Sequence, residues 1–184
     1  TIIFGTGFKA TDPIPRGFLF GRNGQDINDA WPNGPEAYKG TTVAGFPNLF
    51  ILMGPNTGLG HNSMVYMIES QISYVKSALT FMNKQKIPFI DVISHKQQDY
   101  NDKIQNKLTQ AVWSSGGCQS WYLHPKSGKN VTLWPGFTWQ FRLQTRHFDA
   151  SAYYTNPLYN QYSGKRASSI KTPTANIRPT EVTA

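Results

Sequence analysis

One stretch limits the folds open to this chain more than any other: FPNLFILMGPNTGLGHNSMVYMIESQ, residues 46–71. Leu49 to Met53 is an unbroken apolar run between Pro47-Asn48 and Gly54-Pro55. Such a run suits a strand buried on both faces, as in a parallel sheet. A glycine-rich loop follows, and then the clearest helical pattern in the chain. Val65, Ile68, Ile72, Val75, Leu79 and Met82 recur at spacings of three and four, which predicts one apolar stripe facing a sheet. Asn62 or Ser63 is the expected N-cap. Strand, small-residue loop and helix N-terminus together present backbone N–H groups and a positive dipole end to an anionic or polar group. The Gly-Lys-Ser/Thr of a nucleotide-binding Walker loop is missing, and an ordinary strand-to-helix turn satisfies the same pattern.

The opening TIIFGTGFKA carries a second glycine pattern, Gly5-Thr6-Gly7-Phe8-Lys9-Ala10 after an apolar run. A dinucleotide fingerprint needs a helix to begin there. Pro13 and Pro15 follow within a few residues, remove backbone donors and force their predecessors out of the helical region. The pattern therefore reads as a strand-ending turn.

From Asp12 to Gly40 turn formers dominate, and Phe18-Leu19-Phe20 and Ile27 around Asn23-Gly24 predict a small hairpin. A short strand is expected at Pro88–Ile93 and a second helix from Gln97 to Trp113, with Tyr100, Ile104, Leu108 and Val112 on one face. Two short strands with Lys126-Ser127-Gly128-Lys129 as the turn are expected over Ser120–Trp134. Beyond Asp149 the sequence is rich in Ser, Thr, Pro, Asn and Tyr without a period, so 150–184 is expected to be disordered.

Composition narrows the function classes. The net charge of +8 invites a nucleic-acid reading, but the Lys and Arg residues form no stripe interleaved with aromatics, so a solvated surface is expected. A single cysteine, Cys118, excludes an internal disulfide framework and fits a reducing, cytoplasmic setting. No apolar run approaches the roughly 18 residues of a membrane span. His61, His95, His124 and His147 show no ligand spacing, so no metal site is expected. The sequon Asn130-Val131-Thr132 is read as chance. With no initiating Met and an apolar run at its very start, the chain reads as a piece of a longer protein.

The 46–71 stretch, together with AYKGTTVAGFPNLF, GRNGQDINDAWPNG and CQSWYLHPKSGKNVTLWPG, closely resembles the class B flavoprotein monooxygenases. These are the Baeyer–Villiger monooxygenases and the related flavin-containing monooxygenases, and the match runs in order over residues 1–149. The resemblance implies an α/β fold that is an incomplete, C-terminal part of a flavoprotein with two Rossmann-like dinucleotide-binding domains. Residues 1–11 would be the crossover from the NADPH domain, 12–83 the C-terminal part of the FAD domain, and 84–149 a helix and hairpin region. IIFGTGF looks like the family's Ala-Thr-Gly crossover, with Gly5 in place of the alanine.

FAD and NADPH are the implied cofactors. The implied cofactor contacts are Thr6 and Gly7 at the crossover, and Gly54, Pro55, Asn56 and Thr57 in the loop over the flavin. His61, Asn62, Ser63 and Met64 would lie at the helix end aimed at the flavin, and Ser120 and Trp121 in a segment reaching the NADP ribose. A core position in the hairpin would suit Trp121 equally well. The implied activity of the whole protein is insertion of one oxygen atom of O2 into a ketone, with nitrogen or sulfur oxygenation as the alternative. No catalytic residue is expected in this segment, since the family's two fingerprints lie upstream. A third reading, an inactive or basic interaction module, rests on charge alone.

Overall fold

The computed structural model describes residues 1–2, 11–60, 62–115 and 120–155. Thr6, Gly7, His61 and Cys118 lie outside them, and so does 156–184 of the expected disordered tail.

Helix α1, Ile27–Ala30, starts where Asp26 caps it by accepting the Asn28 backbone N–H at 2.8 Å. Ile27 therefore opens a helix instead of flanking a hairpin, and only the Phe20–Asp26 bridge remains of the expected ribbon. The turn chemistry was nonetheless legible: Asn23 and Gly24 both take positive φ, 59° and 71°.

Helix α2, Met64–Gln85, is the longest element. Ser63 is its N-cap, accepting the Tyr66 N–H at 3.4 Å, and Lys86 closes it in the left-handed conformation. The face it buries is not the predicted stripe. Met67, Ser70, Gln71, Tyr74 and Ala78 point inward, whereas Val65 is 62% exposed, Ile72 50% and Leu79 51%. A large dye response is therefore expected when the isolated chain meets a hydrophobic probe, and Ile72→Ser with Leu79→Ser should remove most of it. An undiminished signal in that double variant would place the sticky surface elsewhere.

The run Leu49–Met53 is not a strand. Ile51 N–H reaches Thr41 O at 2.8 Å, but Met53 N–H goes to a side chain, and Leu52 and Met53 are exposed. A strand needs a neighbour along its length to satisfy its backbone, and among the described residues none runs alongside. The described strands are short: β1, Asp91–Val92, pairs antiparallel with β2, Tyr153–Tyr154. The expected strand Pro88–Ile93 is thus reduced to its middle. Disorder from residue 150 is also overturned, because Ala150–Ala152 forms a 3-10 turn and Ala152 and Tyr153 are buried.

Helix α3, Ser94–Leu108, begins earlier than predicted and buries Ile104 and Leu108; Val112, in the separate turn α4, Val112–Ser115, is 79% exposed. The 123–130 hairpin forms as an antiparallel bridge between Leu123 and Asn130, with Gly128 at φ +68°. Asn130 is only 2% exposed, so its sequon is closed to modification. Helix α5, Thr138–Thr145, was not foreseen; it packs along α2, and Arg142 lies 4.9 Å over the Tyr66 ring and 3.7 Å from Glu69.

Three buried clusters result. Tyr38, Tyr74, Ile90, Val92 and Tyr153 form one between α2 and the β1–β2 pair. Met67, Ile104, Leu108, Leu133, Trp134 and Phe141 form another among α2, α3 and α5. Ile27, Trp31, Ala37, Val43 and Phe46 hold the N-terminal loops together.

Candidate functional site

The loop between the apolar run and α2 is held on three sides. Asn56 N–H donates to Val131 O at 2.9 Å and Gly58 N–H to Thr132 O at 2.8 Å, while Gly58 O accepts from Trp134 N–H at 2.9 Å. Asn56 Nδ2 donates to Asn130 O at 2.7 Å and Leu133 O at 3.1 Å. Thr57 Oγ1 closes the turn on Gly54 O at 2.7 Å. Gly54 lies directly against Gly40, where a Cβ would stand 2.2 Å from the Gly40 carbonyl oxygen. Met53 and Asn56 on either side adopt left-handed backbones, φ +56° each. That conformation is uncommon away from glycine and persists only where surroundings impose it.

In front of this loop lies a cavity of about 320 Å³. Gly54 and Pro55 form part of its wall, Met64 at the start of α2 another part, and Trp31, Ile14 and Ile51 an apolar side. The first N–H groups of α2 have no acceptor within the helix. Tyr66 N–H is taken by Ser63 Oγ and Ser63 N–H by Asn62 Oδ1, and Met64, the first helical residue, lines the cavity. A flat heteroaromatic ring with carbonyl oxygens at one edge suits this combination: apolar walls for its faces, N–H donors and a positive dipole end for its oxygens.

The expected contact residues divide by geometry. Gly54, Pro55 and Met64 line the cavity. Asn56 and Thr57 turn inward, 3% and 0% exposed, and their side chains brace the loop. Asn62 and Ser63 are exposed at the helix start, with Asn62 Nδ2 3.3 Å from Thr138 Oγ1. Ser120 and Trp121 sit elsewhere: Ser120 Oγ accepts the Tyr122 N–H at 3.3 Å. Trp121 is 59% exposed and lies 4.4 Å from the Tyr122 ring, so it is not a core aromatic of the hairpin. Sequence reasoning missed Gln71, which is fully buried and reaches the loop from α2. A polar residue in register with Met67, Tyr74 and Ala78 was the available signal, and the apolar stripe on the neighbouring face concealed it.

Behind the loop a polar aromatic cluster carries the most shifted groups. Tyr74 and Thr42 each bond the Tyr153 hydroxyl, at 3.0 and 2.8 Å, and Tyr38 reaches Asp149 at 3.3 Å. Burial pushes the Tyr38 and Tyr74 hydroxyls well up, and that of Tyr153 up to about 12. Lys39 Nζ donates to Gln144 O at 2.7 Å and lies 4.6 Å over the Tyr74 ring; burial pulls its ammonium down from 10.5 to about 8. The folded chain thus releases this proton before the unfolded chain does, and Lys39 makes stability rise between pH 8 and pH 10.5. Above pH 10 the buried tyrosines oppose it, because the unfolded chain ionises first. Observed by NMR through the Lys39 side chain, titration is expected near pH 8; a midpoint at 10.5 would mean the amine is solvated.

Among the described residues no three His, Cys, Asp or Glu side chains gather as a metal site, and no helix is long and apolar enough to cross a membrane.

Comparison with known proteins supports the fold class. The arrangement is that of a segment of a two-dinucleotide-domain flavoprotein monooxygenase. No protein-family model matches the chain. A Baeyer–Villiger monooxygenase of Pseudomonas aeruginosa is 67% identical over 159 residues, covering 85% of this chain and 30% of that protein. An FAD-binding monooxygenase of Aspergillus niger is 34% identical over 138 residues, covering 73% of this chain and 22% of that protein. Cyclohexanone monooxygenase from Rhodococcus sp. Phi1, bound to NADP+, superposes with a TM-score of 0.65 at 27% identity, over 76% of this chain and 26% of its own. The chain belongs to the Baeyer–Villiger monooxygenase family and spans less than a third of the length of these relatives.

Proposed function

We propose that this chain works as the part of an FAD- and NADPH-dependent monooxygenase that closes over the flavin, in a protein that inserts one oxygen atom of O2 into a ketone. The observation that carries the reading is the cavity walled by Gly54 and Pro55, with Met64, the first residue of α2, also in its lining. The high identity to a Baeyer–Villiger monooxygenase supports it. When bound, the flavin and nicotinamide supply the redox chemistry that activates oxygen.

The chain's own residues bind, orient and exclude water. Gly54 and Pro55 present backbone with little side chain, so a ring can approach closely. The N–H groups at Met64 favour negative charge on the oxygens they face, by about 0.3–1 kcal/mol. Ile14, Ile51 and Trp31 keep water from the ring faces. Thr6, Gly7, His61, Asn62 and Ser63 complete the proposed flavin-side contacts, and Ser120 with Trp121 the nicotinamide side.

The test uses the full-length protein with NADPH, O2 and paired ketone and sulfide substrates. Ester or lactone formation is expected with the ketone; sulfoxide without ester would assign heteroatom oxygenation instead. In the same assay Trp121→Ala is expected to weaken NADP+ binding about tenfold and to divert NADPH into hydrogen peroxide. Unchanged coupling of NADPH to product would remove Trp121 from the site.

A further inference from the structure

The fully buried carboxamide of Gln71 meets the cavity loop with both of its ends. Its Oε1 accepts the Met53 N–H at 2.9 Å, and its Nε2 donates to Gly40 O at 2.8 Å, with Thr41 Oγ1 at 3.2 Å and Ile51 O at 3.3 Å. These bonds reach both sides of the tightest contact in the loop. Gly40 is the residue Gly54 lies against, and Met53 immediately precedes Gly54.

Met53 needs such support. Its φ of +56° is unfavourable for a residue with a side chain, and its side chain is largely exposed, so core packing does not hold the backbone there. The bond from its N–H to a buried helix side chain does. Met53 and Gly54 both line the cavity.

We propose that Gln71 is a positioning residue for the cofactor: by fixing Met53 and Gly40 it sets the turn on which the flavin ring rests. The assignment rests on the reading of the site given above. The chemistry specifies glutamine closely. Glutamate has the same shape but would face the Gly40 and Ile51 carbonyls with acceptor oxygens. Asparagine is a methylene too short for a side chain that spans these partners. Methionine fills the volume and makes none of the bonds.

The experiment compares full-length wild type, Gln71→Met, Gln71→Glu and Ala78→Gly. Ala78 is buried on the same face of α2, among Tyr74 and Tyr153, and takes no part in the bonds that Gln71 makes to the loop, so its variant weakens the helix while leaving those bonds in place. FAD is titrated into each apoprotein, and the absorption spectrum of the bound flavin is recorded beside the melting temperature. Binding is expected to weaken about tenfold in Gln71→Met and about a hundredfold in Gln71→Glu, with an altered flavin spectrum in both. Ala78→Gly should lose melting temperature while keeping affinity and spectrum. If the Gln71 variants melt lower yet bind FAD with wild-type affinity and spectrum, Gln71 is structural and the inference is overturned.

A wild-type measurement stands beside the variants in case they do not fold. The Met53 amide should exchange slowly with solvent in the apoprotein, before FAD is added, because its acceptor is buried. Exchange at the rate of an open loop would also overturn the inference. If wild type itself takes up no FAD, the proposed function fails, and the role of Gln71 falls with it.

Discussion

Replacing Gly54 by alanine is expected to cost about 3 kcal/mol or more and to abolish flavin binding in the full-length protein. The added methyl would stand 2.2 Å from Gly40 O and 3.1 Å from both the Gly40 carbonyl carbon and Ile51 Cγ2. A flexible side chain could swing away from such an intrusion, but a backbone carbonyl cannot. Gly40 has no room to retreat either: its own Cβ position lies 2.1 Å from Thr57 Cγ2 and 2.8 Å from Pro55 O. The two glycines are therefore a pair, and relief of one by shifting the other would tear the Gln71 bond to Gly40 O. Urea unfolding and FAD titration of Gly54→Ala check this together. An alanine variant with wild-type stability would show that the loop is not held as tightly as the Gly40 contact implies.

The second large effect lies in the segment that composition alone had consigned to disorder. Tyr153→Ala should destabilise by about 3–5 kcal/mol, the range for truncating a buried aromatic. Tyr153 is 5% exposed and packs against Phe148 at 4.6 Å and edge-on to Tyr38 at 5.9 Å. Its hydroxyl joins Thr42 to Tyr74, so removing the ring also strands two buried hydroxyls. Tyr153→Phe separates the contributions: it keeps the ring and should lose only about 1–2 kcal/mol. Equal losses in the two variants would mean the hydroxyl bonds, and not the packing, anchor the segment.

That contrast shows where the sequence spoke and where it fell silent. Local chemistry was legible. Ser63 caps α2, Asn23 and Gly24 take the positive φ of a turn, and Gly128 turns the 123–130 hairpin. Tyr100, Ile104 and Leu108 repeat at helical spacing, and each is buried wholly or in part. What depended on distant partners was not legible. Tyr153 sits among Ser, Thr and Asn, and its burial comes from Thr42 and Tyr74, more than 75 residues away. The stripe on α2 was read correctly as apolar but most of it was assigned to the wrong side, because the inner face of the helix carries Gln71, Ser70 and Tyr74, whose polar groups hydropathy counts against burial. Leu49–Met53 has the composition of a buried strand, but composition cannot supply the neighbouring strand that would make it one. At the cavity, Gly54, Pro55 and Met64 were expected as contacts through the family resemblance and line it, whereas the inward bracing by Asn56 required the 130–134 segment to be in place; the Thr57 bond to Gly54 O is local.

The division of α2 into two faces bears on how this segment could be exchanged between relatives. Every bond made by Gln71 and Tyr74 ends on a residue between Gly40 and Tyr153, so a transplant of that whole span would carry its inner wiring intact. The outward side chains Val65, Ile72 and Leu79 are the ones a new host would have to accommodate. For α2 itself, compatibility of a chimera thus turns on a few aliphatic side chains along one ridge, while a seam at Gly40 would also part Ile27, Trp31 and Ala37 from Val43 and Phe46. A seam placed inside α2 would instead divide a network whose members recognise one another by hydrogen bonds, and those tolerate mismatch far less than aliphatic packing does.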